Sequence, residues 1–190
     1  MKNILKGYYK RYNKNYQHDY LIQKEFLYFK DYKKILDIGC GVGSFLKKDP
    51  KRIVGIDTNK ESIAICKKKK LKAIYAKASQ LPFREGSFDG VHCAHVIEHL
   101  FPEEAYMLLQ EAGRVLKKEG IFVLSTPIFW DGFYNDFTHI KPYNPESIMR
   151  YLCHEGEQKT FLKSKYSFRM IDFFWRYRLL PLPGKLGYLV

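Results

Sequence analysis

Three glycines and an aspartate stand at a spacing that could bind a ligand through bare backbone. The run 35–44 reads Ile-Leu-Asp-Ile-Gly-Cys-Gly-Val-Gly-Ser, so an apolar stretch ends in three closely spaced glycines, with Asp37 two residues before the first. Glycine permits positive φ and leaves no Cβ between a ligand and the backbone N–H groups. Loops that bind pyrophosphate have the spacing G-x-G-x-x-G, which would require glycine at Ser44. The pattern therefore disfavours a dinucleotide.

A second acid follows at the end of the next apolar run. Residues 53–57 read Ile-Val-Gly-Ile-Asp, which places Asp57 twenty positions after Asp37. One βαβ unit separates the ends of neighbouring strands by about this distance, and a carboxylate there can accept both hydroxyls of a ribose. The two acids and the glycines together predict a nucleoside-containing ligand.

A glutamate and three histidines form a second candidate group. His95, Glu98 and His99 have i, i+3, i+4 spacing and share one face if their segment is helical, and His139 could approach from a later loop. An imidazole titrates near neutral pH, which suits proton transfer. A structural hydrogen bond is the alternative role for each histidine.

The elements that must position these groups alternate along the chain. Short apolar runs at 35–38, 53–57, 71–76 and 121–124 predict strands, and helices are predicted to open at Ser44 and after Asn59 and to cover 102–118 and 148–152. Residues 158–162 and 186–190 are predicted as further strands, with 164–183 inserted between them. This insertion could touch a membrane, although a second wall of an acceptor pocket is favoured.

Aromatic residues recur between lysines from 7 to 32, which predicts one or two amphipathic helices. Phe26 and Phe29 are predicted to pack against the sheet. The tyrosines before Lys14 could pack there or cover a ligand.

The net charge of +13 is concentrated in the flanks. Residues 1–36 and 159–190 each carry an excess of six positive charges, whereas 37–158 carry an excess of one. Such flanks would attract an anionic acceptor, a nucleic acid or an acidic lipid surface, and an ordinary solvated surface also explains them.

Length and cysteine usage predict one cytoplasmic domain. A chain of 190 residues suits a single α/β domain, 1–190. The four cysteines lack C-x-x-C spacing, which disfavours zinc and disulfides and favours reduced thiols. No segment has the length of a membrane span or the apolar region of a signal peptide.

The pattern Asp37-x-Gly-x-Gly-x-Gly followed by Asp57 resembles the class I S-adenosylmethionine-dependent methyltransferases of type 11/12, and the resemblance covers 34–152. It implies an α/β fold with a doubly wound, mostly parallel seven-stranded sheet of order 3-2-1-4-5-7-6 and helices on both faces. It also implies an N-terminal lid (1–33), a cofactor-binding core (34–152) and C-terminal strands with an aromatic and basic insertion (153–190). The implied cofactor is S-adenosylmethionine. The implied cofactor-binding residues are Asp37, Gly39, Cys40, Gly41, Gly43, Asp57, Thr58, Ala78, Ser79 and His95.

One position departs from the family pattern. Relatives commonly carry an acid before the alanine at 78, where it receives the adenine amino group, but this chain has Lys77. A lysine can only donate, so adenine recognition would pass to Ser79, to backbone groups around Ala78 or to water.

The histidine cluster resembles that of two metal-dependent groups, the small-RNA terminal 2′-O-methyltransferases and some quinone-pathway O-methyltransferases. Their motif is Glu-x-x-Glu-His, and this chain has His95 at the first glutamate, which favours nitrogen-preferring metals over magnesium. Many metal-free relatives also carry Glu-His-Leu, and no metal is the favoured interpretation.

The resulting prediction is methyl transfer to oxygen or nitrogen of a small or medium-sized acceptor that could be anionic. The acceptor is expected at the aromatic loop 129–139, with His139 as first candidate for the base and His99 as second. The alternatives are a metal-dependent RNA 2′-O-methyltransferase and a non-catalytic protein that binds the cofactor or nucleic acid. A small-molecule partner is favoured over nucleic acid.

Overall fold

A parallel sheet forms the centre of the molecule. The computed structural model describes residues 16–153, 164–176 and 188–189. Its parallel strands are β1 (Ile35–Ile38), β2 (Ile53–Asp57), β3 (Ala73–Tyr75), β4 (Phe88–Ala94) and β5 (Leu116–Pro127), in the order β3-β2-β1-β4-β5. All four residues of β1 are buried, as expected of a central parallel strand covered on both faces. The predicted doubly wound class is confirmed.

Two short strands extend the sheet beyond β5. β6 (Trp175–Arg176) and β7 (Tyr188–Leu189) span two residues each, and β7 pairs antiparallel with both β5 and β6. β6 lies inside the segment that the sequence analysis assigned to an insertion, and the predicted sixth strand at 158–162 lies outside the described residues. The seven-strand count therefore stays a prediction, although the described order is β3-β2-β1-β4-β5-β7-β6.

Helices cover both faces of the sheet. One apolar cluster joins β1 and β2 to α1 (Tyr16–Leu27) and α2 (Lys60–Lys68), and the other joins β1 and β4 to α3 (Pro102–Val115) and α4 (Pro145–Cys153). Ile35 belongs to the first cluster, and Leu36 and Ile38 to the second, as the two-residue period of a strand requires. Asp37 consequently faces the same side as α1.

The segment after the glycine loop, which we define as residues 39–43, differs from the prediction. A helix was expected from Ser44, but the chain forms a single 3-10 turn, Leu46–Lys48. The Asp49 carboxylate accepts the N–H groups of Lys51 and Arg52 immediately afterwards, which turns the chain into β2 at Ile53. With so few residues between the loop and β2, an α-helix has no room.

The boundary between α3 and β5 is also shifted. α3 was predicted to reach Lys118 but ends at Val115, and β5 begins at Leu116 instead of Ile121 because Leu116 pairs with Phe88. An irregularity in that pairing, with Glu119 at φ +63°, accommodates the residues that were expected to end the helix.

No helix in the described part of the chain combines the length and the apolar character needed to cross a membrane.

Candidate functional site

The glycine loop adopts backbone conformations that favour glycine. Gly39, Gly41 and Gly43 have φ of +74°, +50° and +83°. A Cβ on Gly39 would lie 2.2 Å from Cγ2 of Val96, whereas a Cβ on Gly41 would enter open space. The loop therefore touches the segment after β4 at Gly39 and leaves room for a ligand at Gly41.

Asp57 lies beside that open space. Its Oδ2 accepts the N–H of Gly41 at 2.8 Å, and its Oδ1 accepts the N–H of Asn59 at 2.7 Å. A carboxylate has about four acceptor positions, so each oxygen keeps one for a further donor. The half-buried Asp57 can thus receive two neighbouring hydroxyl groups, as a ribose presents them.

Two predicted cofactor residues are buried. Cys40 is 6% exposed and its side chain packs on Gly55, where a Cβ would lie 2.6 Å from Cβ of Cys40. A hydrogen bond with Cys66, together with burial, raises the pKa of the Cys40 thiol. Asp37 is 3% exposed, and burial raises its pKa although its hydrogen bond with His92 opposes the shift. These side chains support the loop from beneath.

The remaining predicted residues lie along the same edge of the sheet. Thr58 is exposed directly after Asp57, and Ala78 and Ser79 are half-buried in the loop that follows β3. Lys77 is exposed, and its backbone pairs with Gln80.

A pair of charged residues on α3 fixes the end of that loop. The N–H of Leu81 donates to Oε2 of Glu111 at 2.7 Å, and the Arg114 guanidinium donates to the carbonyls of Phe83 at 2.7 Å and Leu81 at 3.1 Å. Arg114 also donates to Glu111, and this hydrogen bond lowers the pKa of the Glu111 carboxyl. Sequence reasoning missed this clamp, for which the i, i+3 pair of opposite charges is the available signal.

Glu98 organises the histidine cluster. It is fully buried, its Oε1 lies 3.2 Å from Nδ1 of His95, and its Oε2 accepts from the Thr126 hydroxyl at 3.2 Å. Although burial alone raises the pKa of Glu98, the hydrogen bond and charge of His95 lower it overall. Its backbone carbonyl accepts the N–H of Ile140 at 2.8 Å, which ties the loop after β5 to the cluster.

His95 has a left-handed backbone at φ +55°, a sparsely populated conformation that is enriched at functional sites. His95 itself forms a bend, and a 3-10 turn, Ile97–His99, follows. The strand end and this turn bring His95, Glu98 and His99 together without an α-helix.

His99 and His139 are both held by a hydrogen bond through Nδ1. Nδ1 of His139 lies 2.7 Å from the carbonyl of Phe133, and Nδ1 of His99 lies 3.0 Å from the carbonyl of Thr138. A carbonyl can only accept, so Nδ1 carries the proton in both rings and Nε2 of the neutral ring offers a lone pair. The two ring centroids are 4.9 Å apart. His139 therefore does approach the cluster, as the sequence analysis expected.

Aromatic side chains border the two histidines. Phe133 is fully buried and its ring centroid lies 4.5 Å from that of His139. Phe129, Tyr134 and Phe137, in the same loop, are exposed. Apolar side chains left in solvent beside a polar cluster are typical of a binding surface.

Comparison with known proteins decides the family. A family model described as a methyltransferase domain matches residues 36–124. The fold also resembles a solved S-adenosylmethionine-dependent methyltransferase from Archaeoglobus fulgidus, with 31% identity, a TM-score of 0.61, and coverage of 68% of this chain and 63% of that chain. Residues 36–124 therefore form a class I S-adenosylmethionine-dependent methyltransferase domain.

Two curated relatives extend the comparison. A Methanocaldococcus jannaschii protein described as uncharacterised is 36% identical over 140 residues, which are 67% of this chain and 53% of that protein. A tRNA (carboxymethyluridine(34)-5-O)-methyltransferase of Xenopus tropicalis is 35% identical over 88 residues, which are 45% of this chain and 14% of that enzyme. The chain spans about half the length of the first curated relatives it matches.

The donor set fits the cofactor of this methyltransferase family, S-adenosylmethionine. The Asp57 carboxylate has acceptor positions for the ribose hydroxyls, and the open space at Gly41 admits a ligand against bare backbone.

Replacing Asp57 by asparagine should weaken cofactor binding. In Asp57→Asn an amide NH₂ takes the place of one acceptor oxygen. Because each oxygen accepts a backbone N–H, the NH₂ opposes one of these donors and can no longer accept from a ribose hydroxyl. Hydrogen bonds to charged groups contribute about 1.5–3 kcal/mol, so we expect the Kd for S-adenosylhomocysteine to rise roughly ten- to hundredfold in calorimetry.

Asp49→Asn is the matched control, because the Asp49 carboxylate also accepts two backbone N–H groups but lies after the 3-10 turn. Equal affinities for Asp57→Asn and wild type would show that Asp57 does not hold the ribose.

Proposed function

We propose that this chain is an enzyme that transfers the methyl group of S-adenosylmethionine to an oxygen or nitrogen atom of a small or medium-sized acceptor. The contact between the glycine loop and the segment after β4 carries this proposal, since a Cβ on Gly39 would meet Val96. Val96 is the neighbour of His95, so a cofactor held by the loop lies next to the histidine cluster. Donor site and proton-accepting groups thus share one edge of the sheet.

The chain's own part in the reaction is positioning and proton removal. S-adenosylmethionine supplies a methyl group on a sulfonium, which is an excellent leaving group. The exposed aromatics of the loop 129–139 would orient the acceptor, and Nε2 of His139 would take its proton because Nδ1 is occupied by Phe133. His99 presents the same lone pair and is the second candidate.

The basic flanks support an anionic acceptor. Each flank carries an excess of six positive charges, which raises the local concentration of anions around the domain.

The proposal is tested in two steps. Calorimetry should give binding of S-adenosylmethionine and S-adenosylhomocysteine; tight binding of a nicotinamide cofactor with no heat from either would overturn the cofactor assignment. Labelled methyl donor is then incubated with the small-molecule and RNA fractions of a cell extract, and the label should enter the small-molecule fraction. Donor binding with no label in either fraction would indicate a non-catalytic binding protein.

A second candidate is a metal-dependent RNA 2′-O-methyltransferase, favoured by the geometry of the histidines. One ligand atom from each of Glu98, His99 and His139 lies within 4.8 Å of the others. Histidine ligands usually donate their other ring N–H to a carbonyl or carboxylate, as both histidines do here. These three residues would hold a divalent ion, which would act as a Lewis acid on the acceptor hydroxyl. The relative named for tRNA modification supports an RNA acceptor.

Removal of metal separates the two candidates. If the chain is the metal-free methyltransferase of a small molecule, we expect EDTA to leave turnover of that acceptor unchanged, because Nε2 of His139 takes the proton directly. A tenfold or larger loss of methylation of an RNA acceptor, restored by Mn²⁺ but not Mg²⁺, would favour the metal-dependent enzyme. The RNA fraction treated with EDTA and then dialysed against Mn²⁺ is the control for chelator effects on the RNA.

A further inference from the structure

One buried imidazole beneath the glycine loop contacts both ends of that loop. His92 of β4 is 3% exposed, its Nδ1 lies 2.7 Å from Oδ1 of Asp37, and its ring stacks on Phe45 with centroids 3.8 Å apart and planes 6° apart. Asp37 stands two residues before Gly39, and Phe45 stands two residues after Gly43. A single side chain therefore supports the cofactor loop at its entry and its exit.

The other nitrogen of this imidazole is bound by the N-terminal helix. Nε2 of His92 lies 3.1 Å from Oε2 of Glu25, which is 3% exposed and belongs to α1. Phe26 of α1 and Phe29 just beyond it pack edge-on against Phe45, with centroids 5.9 and 5.6 Å away. The carboxyl end of α1 thus converges on His92 and Phe45.

The network is built around a protonated ring. A carboxylate only accepts, so both nitrogens of His92 are donors when both partners are ionised. Burial alone would lower the pKa of His92, but the hydrogen bonds and charges of Asp37 and Glu25 raise it from 6.5 to about 9. The charge of Asp57 also acts on Asp37, and that of His95 acts on Glu25. The stabilisation that the doubly donating ring contributes is fully present below pH 6.5, the ordinary pKa of histidine, and is lost as the pH rises through about 9.

We infer that His92 is a positioning residue for the cofactor loop, and that Glu25 makes this positioning depend on the docked N-terminal helix. The inference rests on the proposed function, since its readout is the affinity for S-adenosylmethionine. When Glu25 no longer binds Nε2, α1 loses its polar contact with His92 and the two ends of the loop lose part of their common support. Helix docking and cofactor binding then affect each other equally, because linkage between two equilibria is reciprocal.

Two substitutions of Glu25 test the link in the full chain. Glu25→Ala removes the contact and should raise the Kd for S-adenosylmethionine about tenfold or more, with loss of hydrogen-exchange protection in α1. Glu25→Gln keeps an acceptor oxygen without the charge and should restore most of the affinity at pH 6. Asp19→Ala is the matched control, because Asp19 is an exposed carboxylate on the same helix and should leave both readouts unchanged.

A pH profile gives a readout that a merely structural contact would not move. Charge-assisted hydrogen bonds are about twice as strong as neutral ones, so Asp37 is held less firmly once His92 loses its proton. The Kd should rise with a midpoint near the pKa of His92, which we expect at about 9 in the wild type and lower in Glu25→Gln. An NMR titration of His92 in each protein gives the pKa for this comparison. The amino group of the cofactor also titrates, but identically with both proteins, so the difference between the profiles isolates His92.

The outcomes are distinct from those of the proposed function. If the wild type binds no S-adenosylmethionine, the proposed function fails first. If the wild type binds, but Glu25→Ala shifts the Kd no more than Asp19→Ala, the inference is overturned. The inference is also overturned if the pKa of His92 differs between the wild type and Glu25→Gln while the midpoint of the Kd profile does not. This comparison needs only Glu25→Gln, so it can be made even if Glu25→Ala does not fold.

Discussion

His139→Asn should lower the turnover number by about 10²- to 10⁴-fold, the usual contribution of a general base, with little change in cofactor affinity. The Asn side chain offers an NH₂ close to the position of Nδ1, so the hydrogen bond to the Phe133 carbonyl can persist. Of the polar groups of His139, only the Nε2 lone pair is lost. The effect should therefore appear in kcat for the acceptor identified by methyl labelling, while the Kd for S-adenosylhomocysteine remains within about twofold of wild type.

His99→Asn is the informative partner of that variant, because His99 shares the same arrangement with Thr138 as its Nδ1 acceptor. A much smaller loss of kcat in His99→Asn would identify His139 as the base. A larger loss would exchange the two roles. Full turnover in both variants would show that the acceptor reacts without either imidazole.

Gly41→Ala should abolish most cofactor binding while leaving the fold intact. A Cβ at Gly41 meets no protein atom within 4 Å, so the methyl group would project into the space assigned to the ligand. Because φ is left-handed at +50°, an alanine there should also lower the free energy of unfolding by about 1–2 kcal/mol. We expect the Kd for S-adenosylmethionine to rise about tenfold or more in calorimetry.

Gly86→Ala controls for the strain, since Gly86 also has a left-handed φ, +60°, and open space around its Cβ position. It lies in the turn before β4, so the two variants should lose similar stability in urea denaturation, and only Gly41→Ala should lose affinity. Equal affinities in the two variants would place the ligand elsewhere on the sheet edge.

Local sequence patterns predicted the parts of the molecule that depend on neighbouring residues. The largely apolar run before Gly39, with its Asp37, and the acid at the end of the next run were sufficient to place β1, β2 and the glycine loop. The inward positions of α3, such as Leu108 and Ala112, followed from helical spacing and are buried in the structure. Asn59 was identified in the segment that caps α2, and its side chain accepts the N–H groups of Glu61 and Ser62.

Contacts between distant segments could not be read in the same way. Glu25 and His92 are 67 positions apart, and Asp37 and His92 are 55 apart, so no local period connects them. The predicted helix at Ser44 failed for a related reason, since the short return to β2 overrides the helical propensity of the residues involved. The histidine cluster was found because three of its members lie within five residues, but its detailed arrangement depends on the loop that returns through Ile140.

The anchoring of that loop bears on how relatives of this protein diverge. The backbone hydrogen bond from Ile140 to the Glu98 carbonyl, and the hydrogen bond between Nδ1 of His139 and the Phe133 carbonyl, hold the imidazole, and neither involves the exposed Phe129 and Phe137. These two aromatic positions can accumulate substitutions during evolution while the imidazole stays in place. Under the proposed function, new acceptor preferences can therefore arise by exchange of surface aromatics while the position of the proposed base is retained.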